Sequence, residues 1–162
     1  MPEHKTVAMR LLEQAKIAYK VHLLPTEEVR SAQEVADLMG VEPATVFKTL
    51  VTTGKTGRHF VFMLPAIAEL DLKKAARAAG EKSIEMLPAK ELLDLTGYVH
   101  GGCSPIGMKK RFRTFIDQSA IAQETILFSA GKLGMQLEMP LGSLQNLMPV
   151  EAVDLVLESL IQ

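Results

Sequence analysis

The stretch VFKTLVTTGKTGRHFVFML, residues 46–64, decides the fold class because it predicts a hairpin at the centre of the chain. Residues 46–53 and 58–64 are each predicted to be a strand, and residues 54–57, GKTG, are predicted to be the turn between them. Two strands joined by so short a turn run antiparallel. The hairpin therefore indicates a sheet in which antiparallel neighbours are common.

Helices and further strands alternate irregularly on both sides of this hairpin. Apolar residues at helical spacing predict helices over 7–15, 35–39, 72–79, 89–95 and 153–160. Strands are predicted over 17–23, 84–86, 112–116, 125–129 and 135–139. Ser31 and Glu34 are predicted to cap the second helix. The mixture predicts an α+β fold around a mostly antiparallel sheet, since a doubly wound sheet needs regular alternation. Spacing alone leaves open whether the sheet closes into a barrel.

Composition limits what kind of protein this is. The 162 residues suit one domain spanning 1–162, and 48% apolar with 23% charged residues is typical of a globular chain. The single cysteine, Cys103, has no partner for an internal disulfide, which favours a reducing compartment. With no signal-peptide pattern and no run long enough to span a membrane, we expect a cytoplasmic protein. The net charge of −1 argues against dense nucleic-acid coating but leaves room for a local basic patch.

A glycine-rich stretch, TGYVHGGCSPIG at residues 96–107, is one candidate for a functional loop. It holds four glycines in twelve residues. Glycines let a backbone approach a ligand closely, and free N–H groups there could cradle an anion or an oxyanion. A plain surface turn is the alternative, and the residues alone do not decide between the two.

Charged residues supply the other candidates. Lys109, Lys110, Arg111 and Arg113 put four cations within five positions, which suits either phosphate contacts or a solvated strand edge. Lys48 lies in a strongly apolar predicted strand, so its ammonium must reach solvent, pair with a partner or line a cavity. The four histidines have no metal-binding spacing and the chain has one cysteine, so no metal site is predicted.

Several of these stretches together resemble the YbaK family, which is related to the editing domain inserted in bacterial prolyl-tRNA synthetase. The matching segments are FKTL at 47–50, LDLKKA at 70–75, TGY at 96–98, GGCSPIGMKKR at 101–111 and SAGK at 129–132. The resemblance runs from about the first helix to Leu147. It implies a mixed, largely antiparallel, barrel-like sheet flanked by helices, in agreement with the α+β prediction.

The resemblance also implies an activity, the deacylation of Cys-tRNA(Pro) or Cys-tRNA(Cys). In this family the cysteine thiol of the substrate attacks its own ester and leaves as a cyclic thiolactone, with no protein nucleophile and no cofactor or metal. The catalytic residues implied here are Lys48, which would hold the terminal adenosine or its phosphate, and Gly101, whose N–H would stabilise the oxyanion. The residues implied to bind substrate are Thr49, Gly102, Ser129, Gly131 and Lys132.

The expected partner is the acceptor end of a mischarged aminoacyl-tRNA, with prolyl-tRNA synthetase as a second candidate. Four residues depart from the family pattern: Leu24 stands where a Tyr is usual, Ser31 where a Phe is usual, Gln136 where some members carry Asp, and His100 where an aliphatic residue precedes the glycine pair. These departures leave two alternatives open. One is a deacylase that uses water against another small misacylated residue, and the other is a non-catalytic tRNA- or synthetase-binding homologue.

Overall fold

The computed structural model describes residues 5–25 and 32–157, which form helices α1 to α5 and strands β1 to β8. The helices are α1 Val7–Gln14, α2 Ala32–Met39, α3 Leu72–Ala79, α4 Ala89–Thr96 and α5 Leu141–Leu147. The strands are β1 Lys20–Leu23, β2 Phe47–Gly54, β3 His59–Pro65, β4 Ile84–Met86, β5 Arg113–Asp117, β6 Ile126–Lys132, β7 Met135–Met139 and β8 Glu151–Val153.

The strands form two sheets that meet at a single point. The large sheet has the order β4-β2-β3-β5-β8, in which β2 is antiparallel to both β4 and β3, and β5 is parallel to both β3 and β8. The small sheet, β1-β7-β6, is antiparallel throughout. An isolated parallel bridge between Val46 and Leu127 joins them. The predicted α+β class, with a mixed sheet flanked by helices, is confirmed, and the sheet stays open instead of closing into a barrel.

The central hairpin forms as predicted, and a buried carboxylate fixes its turn. Glu81 Oε1 accepts the N–H of Thr56 at 3.0 Å, and Glu81 Oε2 accepts its hydroxyl at 2.6 Å. These bonds, and a weaker one from Arg58, hold the pKa of Glu81 below its ordinary value. Gly54 is required beside this carboxylate because a Cβ there would lie 2.4 Å from Glu81 Cδ. The turn is therefore determined by a distant residue as well as by its own glycines.

The large sheet has a hydrophobic cluster on each face. On one face, Phe47 and Met63 pack with Leu12 of α1 and with Phe128 and Leu137 of the small sheet. On the other face, α3 covers a second cluster in which the rings of two buried phenylalanines stack with centroids 5.2 Å apart. The molecule thus has three layers: α1 with the small sheet, the large sheet, and α3.

The C-terminal part of the described chain differs from the prediction. A helix was expected over 153–160, but Val153 ends a strand parallel to β5 and Val156 bridges to Leu70. Buried hydrogen bonds explain this, because Asp117 Oδ1 accepts the Leu155 N–H at 2.9 Å and so holds the segment extended. Helix α5 was not predicted. The expected cap residue Ser31 and the end of the expected helix lie outside the described residues.

Candidate active site

Four polar residues lie near the junction of the two sheets, three of them on neighbouring strands of the small sheet. Lys48 of β2 and Ser129 of β6 each follow the Val46–Leu127 bridge by two residues. Ser129 is paired with Gln136 of β7, which is paired with His22 of β1. Because side chains alternate along a strand, all four lie on the face away from the cluster around Phe47 and Phe128. We call Lys48, Ser129, Gln136 and His22 the polar row.

Lys48, at one end of this row, is half-buried and held by a backbone carbonyl. Its Nζ donates to the carbonyl oxygen of Ala68 at 2.7 Å. Burial lowers the pKa of Lys48, and the carboxylate of Glu69 partly opposes that shift. An ammonium has three N–H donors, so the carbonyl satisfies one and leaves others for a ligand. The sequence identified Lys48 as unusual, but the carbonyl that orients it was not predictable from the local pattern.

Two buried oxygen atoms near the row have no hydrogen-bond partner within the described residues. They are Gln136 Oε1 and Thr49 Oγ1. Ser129, which pairs with Gln136, accepts the Gly131 N–H on its Oγ at 3.0 Å and keeps its hydroxyl proton to donate. Thr49 points to the opposite face of β2 from Lys48, since adjacent strand residues alternate. A buried acceptor without a partner is unfavourable by about 1–3 kcal/mol unless a ligand or water satisfies it.

A carboxylate holds the opposite end of the row. Glu138 Oε1 lies 2.7 Å from His22 Nε2, and Glu138 Oε2 accepts the Thr125 hydroxyl at 2.6 Å. The bond from Thr125, and then that from His22, hold the pKa of Glu138 below its ordinary value, so it is ionised near neutral pH. The sequence analysis did not find this pair, because residues 22 and 138 are far apart in the chain.

The predicted glycine loop lies on the turn between β6 and β7. Gly101 has a φ of 87°, and a Cβ there would lie 2.9 Å from Leu133 Cδ2. A Cβ on Gly102 would lie 3.3 Å from the backbone nitrogen of Leu133. The two backbones therefore approach each other closely. This contact brings Gly101 and Gly102 next to Lys132, which ends the strand that carries Ser129.

The same loop presents free backbone donors. The Gly102 N–H donates to the Val99 carbonyl at 2.9 Å. Among the described residues, no acceptor takes up the N–H of Gly101, or those of the buried residues Cys103 and Ser104. Successive unpaired N–H groups of this kind are suited to binding a negative charge.

Tyr98 anchors this loop, and the sequence analysis did not give it a role. Its hydroxyl donates to the Ile106 carbonyl at 2.5 Å, which closes the loop across its base. Its ring lies against Gly131, where φ is 104° and a Cβ would come within 2.7 Å of Tyr98 Cε1. The loop and the β6–β7 turn are thus locked together. The sequence feature that could have indicated this anchoring role is a tyrosine within a glycine-rich stretch.

Cys103 lies in this loop but is not suited to be a nucleophile. It is 7% exposed and packs with Val51, Val61 and Tyr98. Burial raises the pKa of its thiol to about 11. Since the thiolate is the reactive form, this thiol is almost entirely inactive near neutral pH.

The basic segment, Lys109, Lys110, Arg111 and Arg113, is exposed and lies apart from the polar row. Arg113 pairs with Phe60, four residues along β3 from the partner of Lys48. Four residues of strand and two strand spacings put the Cα atoms of Lys48 and Arg113 roughly 16 Å apart. The structure therefore brings Gly101 and Gly102 to the turn that holds Gly131 and Lys132, and it puts Lys48 and Ser129 two residues beyond the bridge that joins the sheets. It does not bring the basic segment to Lys48.

Residues 5–25 and 32–157 contain neither a helix able to span a membrane nor a cluster of metal-ligating side chains. No helix there has the length and apolar character needed to cross a membrane. No group of three or more His, Cys, Asp or Glu side chains there is arranged to hold a metal ion.

Residues 26–147, which contain the glycine loop and most of the polar row, match the family model of the aminoacyl-tRNA editing domain. The chain belongs to this family. Its members include the editing domains of prolyl-tRNA synthetases, so the resemblance seen in the sequence is confirmed. The activity of an editing domain is that of an aminoacyl-tRNA deacylase.

Individual relatives agree with this assignment. The proposed Cys-tRNA(Pro)/Cys-tRNA(Cys) deacylase EbsC of Enterococcus faecalis is 48% identical over 138 residues, 85% of this chain and 84% of EbsC. A proline–tRNA ligase of Thermosipho africanus is 33% identical over 85 residues, which cover 52% of this chain and 15% of the ligase. The crystal structure of a proposed trans-editing enzyme for prolyl-tRNA synthetase superposes with a TM-score of 0.84 at 25% identity, covering 96% of this chain and all of that one.

Proposed function

We propose that this editing domain removes cysteine from mischarged Cys-tRNA(Pro), using the thiol of the substrate as nucleophile. The observation that carries the proposal is that Cys103, the single thiol of the chain, is buried with a pKa of about 11, beside a loop of free N–H donors. A site that positions an ester and stabilises an oxyanion, but offers no reactive thiol, suits a substrate that brings its own nucleophile. The 48% identity to EbsC supports cysteine as the amino acid.

The chemical step balances without any co-reactant. The substrate thiol loses its proton, and its sulfur attacks the ester carbonyl carbon to give a tetrahedral oxyanion. The Gly101 N–H donates to that oxyanion, a contact worth about 10²–10³ in rate where such donors have been removed. The carbon–oxygen ester bond then breaks, the ribose oxygen takes up a proton, and cysteine leaves as a cyclic thiolactone.

Lys48 orients the ester in this scheme. Its ammonium, held by the Ala68 carbonyl, uses its remaining donors on the terminal adenosine or its phosphate. Ser129, whose hydroxyl proton remains available, adds a hydrogen bond, and the close backbone approach at Gly102, Gly131 and Lys132 shapes the site around the ester. Positioning of this type contributes much of the rate because an aminoacyl ester is already activated.

The tRNA is bound through its acceptor end, with Lys109, Lys110, Arg111 and Arg113 on its phosphates. These side chains are exposed, and the net charge of −1 offers no general attraction to the rest of the tRNA. The reaction takes place in the cytoplasm, where prolyl-tRNA synthetase is a candidate partner that would release the mischarged product.

A second candidate function is hydrolysis of another small misacylated residue by water. Gln136 favours it, because its buried and unpartnered Oε1 has the capacity to accept a hydrogen bond from a water or from an amino-acid substituent. Leu24, in place of the usual Tyr, is a further difference at the pocket.

A panel of mischarged tRNAs incubated with the pure protein separates these functions. We expect fast release from Cys-tRNA(Pro), with much slower release from Ala-tRNA(Pro) and Ser-tRNA(Pro). Faster release of alanine or serine would assign the water-dependent function instead. No release from any member of the panel, by protein that binds the tRNAs, would identify a non-catalytic homologue.

A further inference from the structure

A cavity of about 760 Å³ lies next to the basic segment and contains none of the polar row. Its walls come from α1, from the residues that follow the glycine loop, and from the connection between α5 and β8. Its lining includes Leu11, Pro105, Met108, Phe112, Gln145 and Met148. Cavities of this size accommodate a ligand as large as a nucleoside.

The rim of this cavity is positive. Lys110, Arg111 and Arg113 line it, together with a single acid, Glu151. Arg113 is paired with Glu151 at 3.2 Å. Lys110 and Arg111 have no acidic partner in the part of the chain that the structure describes. The rim therefore carries two positive charges that no acidic side chain neutralises, and an anionic ligand would be complementary to them.

Phe112 joins the positive rim to the apolar interior. It lies in the chain between Arg111 and Arg113, and its ring contacts the ring of His59 edge-on, with centroids 5.7 Å apart. Cations that follow a phosphate backbone, interleaved with an aromatic ring on which a base can stack, are the usual elements of a single-strand nucleic-acid site.

We propose that this cavity binds one unpaired base of the tRNA acceptor end, stacked on Phe112, with the adjoining phosphates on Lys110 and Arg111. The inference extends the proposed function and rests on it for the identity of the RNA. The base is one upstream of the terminal adenosine. An acidic peptide would fit the charge of the rim, but it would leave the ring without a stacking partner.

The distance between the two sites fits this arrangement. Pro105 lines the cavity and is four residues from Gly101, so at most about 14 Å of chain separates them. The cavity is therefore within reach of the nucleotides that precede an esterified adenosine at Gly101. One loop, residues 101–108, contributes at its start to the proposed reaction and at its end to the proposed base site.

Binding of short RNA strands that carry no amino acid tests the proposal. A fluorescent single strand with the sequence of the acceptor end is compared with strands that each lack one base upstream of the terminal adenosine. We expect the loss of one particular base to weaken binding about 5- to 100-fold. In Phe112→Leu the intact strand should bind more weakly, and the difference between it and the baseless strand should largely disappear.

A charge variant with a matched control keeps the test independent of Phe112, which packs partly in the interior. Gln145→Glu adds a negative charge at an exposed residue that lines the cavity, and it also removes the Nε2 donor that binds the Val150 carbonyl. Asn146→Asp adds a charge at the next residue, which does not line the cavity. We expect Gln145→Glu to weaken RNA binding several-fold and Asn146→Asp to change it less than twofold. Thermal melts accompany every variant.

Three results would overturn the inference. The first is that the wild type binds the intact strand and every strand lacking a base equally well, and the second is that the two charge variants have equal effects. The third is that Phe112→Leu keeps its base-dependent binding but no longer associates with prolyl-tRNA synthetase. The last would assign the cavity to a protein partner. Because the RNA carries no amino acid, these results are independent of the deacylation panel. If the protein binds RNA in a base-dependent way but releases no amino acid, the proposed deacylation is contradicted and the proposed base-binding site is still supported.

Discussion

The polar row with its glycine loop and the basic segment with its cavity are built from opposite kinds of residue. The first region uses partly buried side chains and backbone groups that strand pairing, Tyr98 and close glycine contacts hold in place. The second uses long, exposed cations around an apolar cavity. Fixed groups are suited to stabilising a transition state, whereas mobile cations supply affinity that salt can screen. We therefore expect chemistry to depend on the first region and binding on the second.

The largest effect is expected from Lys48→Ala. The change removes the ammonium that orients the ester, so single-turnover deacylation should fall about 100-fold or more. The fold should persist, since a smaller neutral side chain replaces a half-buried charge. Lys48→Arg should not restore the rate fully, because a planar fork does not reproduce a compact ammonium. Near-normal turnover by folded Lys48→Ala would remove Lys48 from the active site.

A smaller effect, on binding alone, is expected when two cations of the basic segment are removed. The affinity of Lys110→Ala/Arg111→Ala for the tRNA should fall on the order of 10-fold at 0.1 M salt. Its log–log salt dependence should become shallower by about 1.4, which corresponds to two single-strand phosphates. Lys55→Ala/Lys82→Ala is the control, since both lysines are exposed and lie away from the cavity. An unchanged slope in the first variant would make the segment an ordinary solvated surface.

Gly131→Ala tests whether the glycine loop and the β6–β7 turn are locked together. Its positive φ of 104° and the Tyr98 ring atom 2.7 Å from the added Cβ should cost about 1–3 kcal/mol of unfolding free energy. The melting temperature should fall by roughly 2–4 °C for each kcal/mol. Gly142→Ala, where the added Cβ has no neighbour within 4 Å, should be neutral or stabilising. Equal melting temperatures for the two variants would contradict this contact.

The smallest effect is expected from Cys103→Ser. The proposed reaction does not use this thiol, and burial raises its pKa to about 11, so most of the deacylation rate should remain. The native thiol should also resist alkylation at pH 8, because the thiolate is the form that reacts. Complete loss of activity in a folded Cys103→Ser protein would show that the enzyme supplies its own nucleophile.

Local patterns predicted most of the elements but not how they pair. Residues 46–64 and 84–86 form strands as expected, because their turns and apolar residues lie close together in sequence. The helix expected over 153–160 was wrong, because the hydrogen bond that Asp117 makes to Leu155 is a tertiary contact. Val21 and Leu23 share the apolar face of the half-buried strand predicted over 17–23, yet they are 40% and 67% exposed, since β1 is an edge strand.

In the candidate active site, too, local features were predicted from the sequence and the pairing between strands was not. Lys48 and the glycine loop were found from the sequence, because a charge in an apolar strand and a cluster of glycines are local signals. The pairing of Ser129 with Gln136, and of Gln136 with His22, was not predicted, since it depends on strand register. The same limit applies to Ala68, whose carbonyl orients Lys48 from 20 residues away.

The central claim, that the substrate supplies the nucleophile, is tested most directly by blocking that nucleophile alone. Single-turnover release is measured from Cys-tRNA(Pro) and from the same tRNA carrying S-methylcysteine, with the wild-type protein in excess. The account predicts fast release of cysteine as its thiolactone, with the S-methyl ester left at its spontaneous rate. Equal enzymatic rates for the two esters would contradict it and would assign the attack to water.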